Sequence, residues 1–193
     1  SLAPGGGLTL TGALAVDGGT VKLDGNYPTG SSNVALGDTA LDSLTSGNEN
    51  TAIGAASLTA NTSGCYNVSV GRSSLAANTT ACGNTAVGMF SIATNTTGAS
   101  NVGIGRNSLR ANTTASNNTA VGTDSLCANT TGNANVAIGC GVLDANTTGS
   151  ENIGIGRSTL GANTTAGQNT AMGSGVLAAN TTGCRNTGIG YNS

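Results

Sequence analysis

An asparagine recurs every 17 residues along most of this chain, at Asn33, Asn50, Asn67, Asn84, Asn101, Asn118, Asn135, Asn152, Asn169 and Asn186, with no insertion or deletion between them. A fixed period of this length marks stacked units, each too small to bury its own apolar face and each completed by its neighbours. Nine full units fill residues 33–185 and a truncated tenth fills 186–193. Numbered from the Asn, a unit reads Asn, Thr or Val, a small residue, an aliphatic, Gly, three variable residues, Leu, any residue, Ala, Asn-Thr-Thr-Gly and two variable residues.

These columns exclude a helix, because every unit carries a fixed Gly and an Asn-Thr-Thr run and none has a charged face. Positions 2–4, as in Thr51-Ala52-Ile53, alternate with a β period, and positions 8–11, as in Ser57-Leu58-Thr59-Ala60, do so again. The predicted coil is strand, Gly corner, strand, Asn-Thr-Thr-Gly turn. Gly54, Gly71, Gly88, Gly105, Gly122, Gly139, Gly156 and Gly173 are the expected corner glycines, where φ is positive or a Cβ has no room. Both prolines, Pro4 and Pro28, precede the array, as expected where each backbone N–H must pair with the next coil. The fold class read from this pattern is all-β, a parallel β-solenoid or β-roll.

Two columns are aliphatic throughout and form the expected core ladder: Ile53, Val70, Val87, Ile104, Val121, Ile138 and Ile155 at position 4, with Leu58, Leu75, Leu109, Leu126, Leu143 and Leu160 at position 9. Position 2 alternates Val or Ile with Thr and shares a face with position 4. That face is read as a subunit contact around a three-fold axis, with an internal core that admits Thr in alternate layers as the other reading. A single coil of 17 residues cannot stand alone, so ladders between coils and companion chains are expected to complete it. Segment 1–32 differs: Leu8–Thr11, Ala13–Val16 and Thr20–Leu23 alternate around an Asp17-Gly18-Gly19 turn, which predicts an N-terminal β adaptor, a hairpin or short β-spiral leading into the solenoid of 33–193.

Composition narrows the function. The chain has 193 residues with 32 Gly, no His and no Trp, and 7% are charged, against roughly a quarter in an ordinary domain. Net charge is −2 with no basic cluster, so no nucleic-acid partner is expected. No apolar run approaches the roughly 20 residues of a membrane span, and SLAPGGG lacks the basic-then-apolar order of a signal peptide, so no membrane insertion is expected.

Without His, the available general bases are Asp17, Asp24, Asp38, Asp42, Glu49, Asp124, Asp144 and Glu151, and no column collects them, so no catalytic residues and no cofactor are assigned. Five cysteines, without Cys-x-x-Cys spacing, give no metal site. Cys65 and Cys82 share a column in adjacent coils, within disulfide reach; a bridge between rungs and two reduced thiols are both open. Asn61, Asn78, Asn95, Asn112, Asn129, Asn146, Asn163 and Asn180 match a glycosylation sequon, but glycans on every rung would crowd, and an amide ladder along the fibre is the expected role. The adjoining threonines, from Thr62 to Thr181, have the regular spacing of an ice-binding row. Arg72, Arg106 and Arg157 share position 6 and would line one edge, suited to solubility or polysaccharide contact.

The units NTAIGAASLTANTSGCY, NTAVGTDSLCANTTGNA and NTAMGSGVLAANTTGCR, with the lead-in TVKLDGNYPTGSSNVALGDTALDSL, resemble the NTAIG and NTTG repeats of bacteriophage tail fibres and bacterial trimeric surface fibres. The NTAVG…S-L-x-A portion also resembles the head repeats of trimeric autotransporter adhesins. The resemblance covers 33–193 strongly and 15–32 more weakly. It implies a homotrimer of solenoids, intertwined or side by side, and an extracellular place on a virion tail fibre or a bacterial cell surface. The implied function is a structural or adhesive shaft that presents a host- or prey-recognition tip, with a surface polysaccharide or protein receptor as partner. Such shafts are often followed by a receptor-binding knob or an autocleaving chaperone, so the expectation is that this chain is a piece of a longer fibre. An ice-binding monomeric solenoid and a polysaccharide-degrading β-helix are the two alternatives.

Overall fold

In the computed structural model the described residues are 31–193, and the adaptor expected over 1–32 lies almost wholly outside them. The chain forms an all-β parallel solenoid with one short strand per rung: β1 (Val34–Leu36), β2 (Thr51–Ile53), β3 (Val68–Val70), β4 (Thr85–Val87), β5 (Val102–Ile104), β6 (Thr119–Val121), β7 (Val136–Ile138), β8 (Ile153–Ile155), β9 (Thr170–Met172) and β10 (Thr187–Ile189). They make a single ten-stranded parallel sheet in chain order. Each residue pairs with the one 17 places on, as Val34 with Thr51 and Ile138 with Ile155. At about 4.8 Å per strand the sheet is roughly 45 Å long.

The expected second strand at positions 8–11 is not formed; those residues are turns in every full rung. The reason lies at position 9, where Leu58, Leu75, Ile92, Leu109, Leu126, Leu143 and Leu160 adopt φ between 46° and 53°. A left-handed Leu costs about 1–2 kcal/mol. It is offset because the turn aims the whole side chain inward, where all seven are fully buried, a gain of about 1.5–3 kcal/mol each. The turn also keeps a ladder of its own, with Leu58 N–H donating to the Ser74 carbonyl at 3.1 Å and Leu109 N–H to Ser125 at 3.0 Å.

The core ladder expected at position 4 is corrected by the structure. Ile53, Ile104 and Ile138 are exposed, and Val70, Val87, Val121 and Ile155 are only half-buried, because these side chains point out of the solenoid. The residue facing inward is the middle of each strand: Ala52, Ser69, Ala86, Gly103, Ala120, Ala137, Gly154 and Ala171. A coil of 17 residues leaves no room for a large aliphatic on the strand opposite the position-9 side chain. With Leu already inside, only Ala, Ser or Gly fits opposite it, and the β alternation then sends positions 2 and 4 outward.

The Gly column makes the corner beside the strand. At Gly88, φ is +130° and an added Cβ would lie 2.6 Å from the Gly105 carbonyl oxygen in the next rung, so dihedral and rung spacing both exclude a side chain.

Candidate functional site

The interior is polar to an unusual degree, and it is satisfied. Two asparagine columns, at positions 1 and 12, are buried from rung to rung. At position 12, Asn78 Nδ2–H donates to Asn61 Oδ1 at 3.0 Å, Asn112 to Asn95 at 2.8 Å and Asn146 to Asn129 at 2.9 Å. Asn95, Asn129, Asn163 and Asn180 continue the series. The position-1 ladder has no counterpart in the sequence reading, where that Asn serves only to mark the period. There Asn118 donates its backbone N–H (3.0 Å) and its Nδ2–H (3.2 Å) to Asn101 Oδ1. Both columns also bond the position-15 carbonyl: Asn118 Nδ2 and Asn129 Nδ2 each lie 2.9 Å from the Gly132 oxygen, tying the start of the rung to its end. Among the described residues no buried side-chain N or O is left without a partner. The sequon asparagines are thus spent inside the solenoid.

The adjoining threonine hydroxyls are spent as well. Thr62, Thr79, Thr96, Thr113, Thr130 and Thr147 each donate Oγ1–H to the Thr carbonyl of the next rung at 3.0–3.2 Å.

Outside, the sheet presents an apolar stripe. Position 4 contributes Leu36, Ile53, Ile104, Ile138, Met172 and Ile189 at 36–70% exposure, and position 2 adds Val68 and Ile153 at 38% each. The fourth and sixth rungs supply half-buried Val87 and Val121 at position 4, with Thr85 and Thr119 at position 2. Two columns about 7 Å apart over roughly 45 Å make an uncharged face, apolar at position 4 throughout and lined by Thr at position 2 in half of the rungs.

The turn that follows each Gly corner carries the variable residues of positions 6, 7 and 10. Arg106 Nη2 lies 3.2 Å from Asp124 Oδ2, and Asn107 Nδ2–H donates to Asp124 Oδ1 at 2.7 Å. Arg72 sits over the Phe90 ring, 5.6 Å from its centroid. Burial pushes the Cys127 thiol above its ordinary pKa, and the nearby carboxylates of Asp144 and Asp124 add to the shift, so it stays protonated at neutral pH. Burial likewise raises Asp144. Of the other carboxylates, Asp42 accepts from Thr59 Oγ1 at 2.8 Å, in the first rung and far from Asp124 in the sixth. Among the described residues no three His, Cys, Asp or Glu side chains are grouped to hold a metal ion, and no helix is long and apolar enough to cross a membrane.

Cys65 and Cys82 fall in one column of adjacent rungs, as their spacing implies, and both are thiols here. Cys82 Sγ accepts the Cys65 backbone N–H at 3.1 Å, the same position-16 contact that Ser116 Oγ makes with Ala99 N–H at 3.0 Å. Cys127, Cys140 and Cys184 are likewise unbridged.

No family model matches the chain, and no curated protein and no solved structure matches it either.

Proposed function

We propose that this chain is one of three identical chains forming the shaft of an extracellular fibre, on a phage tail or a bacterial surface, that holds a recognition tip away from its base. The observation that carries this reading is the apolar column of position 4, which runs along all ten strands and is widened by Val or Ile at position 2 in half of them. A solenoid with a sealed polar interior has no use for such a face in water, whereas a companion chain packed along it would remove the stripe from solvent. The resemblance of the repeats to trimeric fibres supports two companions for each chain, three chains in all. Stiffness along the axis comes from the backbone ladders and the two asparagine columns, and it suits a spacer.

Ice binding draws less support, because the regular threonine row has already committed its hydroxyl protons to backbone carbonyls. A degrading enzyme draws less still, since Asp124, the carboxylate nearest a recess, is held by Arg106 and Asn107.

Light scattering on the purified chain tests the proposal. The expected mass is three times 18.4 kDa. The double variant Ile104→Lys/Ile138→Lys, placed on exposed side chains, is expected to dissociate to monomers that keep their circular dichroism. A wild-type chain that stays monomeric and folded at micromolar concentration overturns the reading.

A further inference from the structure

We propose that the surface of the third to sixth rungs, away from the apolar stripe, is a lateral binding groove for an anionic polysaccharide. The proposal extends the fibre reading by giving the shaft a ligand of its own, and it depends on the fold rather than on the trimer.

Most outward positions of the solenoid are small. Large side chains gather in one stretch, where Arg72, Phe90, Arg106, Asn107, Arg110 and Asp124 occupy positions 6, 7 and 10 of successive rungs. Two recesses adjoin there and share Arg110 and Ala111 as a common wall. One, of about 470 Å³, is completed by Phe90, Ala93, Thr94 and Thr113. The other, of about 410 Å³, is completed by Asn107, Asp124, Cys127 and Ala128. Together they form a shallow trough along the fibre axis with an alanine floor and polar or aromatic walls.

The charge of this stretch opposes that of the chain. Residues 67–134 carry Arg72, Arg106, Arg110 and Asp124, a net charge of +2 in a protein of net charge −2. Arg106 is taken by Asp124, but among the described residues neither Arg72 nor Arg110 has a carboxylate within salt-bridge distance. Arg110 is exposed between the two recesses, so its planar donor fork is available to a ligand carboxylate or sulfate.

The other walls favour a sugar chain over other polyanions. Phe90 brings an apolar ring into the recess wall, a surface suited to the C–H face of a pyranose, with the Arg72 guanidinium 5.6 Å from its centroid. Asn107, which gives one amide proton to Asp124, keeps its other proton and its carbonyl oxygen for neighbouring hydroxyls. A nucleic acid needs a row of cations tracking its phosphates and further aromatics for its bases, and this trough has one free arginine and one ring.

Calorimetric titration of the folded protein with a galacturonic-acid hexasaccharide, and separately with uncharged maltohexaose, tests the groove. The acidic sugar is expected to bind, to weaken with added salt, and to bind about tenfold or more weakly to Arg110→Ala, the loss expected when one charged hydrogen bond goes. Phe90→Ala is expected to weaken binding as well, while Arg157→Ala, on a distant rung, leaves it unchanged. Repeating the titration with the Ile104→Lys/Ile138→Lys variant separates this inference from the trimer, since the groove does not include the stripe. The proposal is overturned if neither sugar binds, if both bind equally, if Arg110→Ala binds like wild type, or if duplex DNA displaces the acidic sugar at lower concentration than the sugar itself.

Discussion

A Cβ on Gly154 would lie 2.6 Å from Cγ1 of Val142, the residue twelve places earlier that faces it across the coil. The relation recurs where Gly188 faces Val176 at 2.6 Å; at Gly103 the residue twelve places earlier is Ser91, and the space is closed instead by Cγ1 of its neighbour Ile92, also at 2.6 Å. At Ser108 and Ser125, which hold a smaller position-8 side chain beside Leu, the facing residue is Ala120 or Ala137, and Ser125 Oγ–H bonds the Ala137 carbonyl at 2.9 Å. Each layer therefore holds a near-constant side-chain volume, shared between the strand's middle residue and the turn. Gly154→Ala is expected to destabilise the fold by about 1–3 kcal/mol through overpacking. Gly154→Ala/Val142→Ser recreates the Ser125 and Ala137 pair and is expected to recover most of that loss, a coupling that urea unfolding of both single variants and the double variant will measure.

The position-12 ladder is directional, since every Nδ2–H points to the rung before it. This explains why Leu44 can occupy that column in the first rung, buried beneath Asn61, without stranding an acceptor. In mid-array the same change strands one. Asn112→Leu leaves Asn95 Oδ1 without its donor and removes the bond to the Ala115 carbonyl. The expected loss is about 2–4 kcal/mol, from the orphaned oxygen and the missing bonds. Asn180→Leu, half-buried on the ninth rung, is expected to lose clearly less in the same unfolding assay.

Left-handed backbone recurs at several points of each rung, and they tolerate substitution differently. At position 7 the φ values cluster near +60°, where Asn107 already sits at 58°, so Gly141→Asn at φ 62° is expected to be near neutral. Gly88→Ala faces both the +130° φ and the Gly105 backbone, and is expected to cost about 3 kcal/mol or more. Thermal midpoints of the two variants will separate by several degrees if the corner is as closed as this geometry requires.

The contrast between columns explains which parts of the fold were legible. The 17-residue period, the strand at positions 2–4 and the inward Leu of position 9 follow from repetition and alternation alone. The inward and outward phase of the strand did not, because alternation says that Ala52 and Ile53 face opposite ways without saying which faces in. Hydrophobicity favours Ile53 inside; volume puts Ala52 there, and volume depends on Leu58 already filling the layer. The left-handed turn at Leu58 was hidden for a related reason, since no local preference of Leu announces it and only its burial sustains it. Of the candidate groove, Arg72 and Arg106 were legible as part of the position-6 column with Arg157, whereas Arg110, at position 10, and its meeting with Phe90 in one trough needed the rungs to be stacked.

Asp144 gives the array a pH dependence whose sign can be worked out. Burial raises its carboxyl pKa and the Asp124 carboxylate raises it further, against the backbone N–H groups of Asp144 and Ala145, which lower it. The folded state therefore holds the Asp144 proton more tightly than the unfolded chain does, and the stability linked to this group is fully present below the unfolded pKa, near 3.8. It declines as pH rises from there through the higher folded value, and above that value the ionised carboxylate is a constant burden. Because the side chain is partly exposed, solvent screens much of the effect. Asp144→Asn is expected to be slightly more stable than wild type at neutral pH, with the difference shrinking or reversing as the pH falls below 4, the lower end of the ordinary carboxylate range. Unfolding midpoints of the two proteins across the acid range will show it, and parallel curves would mean that Asp144 ionises in the fold as freely as in the unfolded chain.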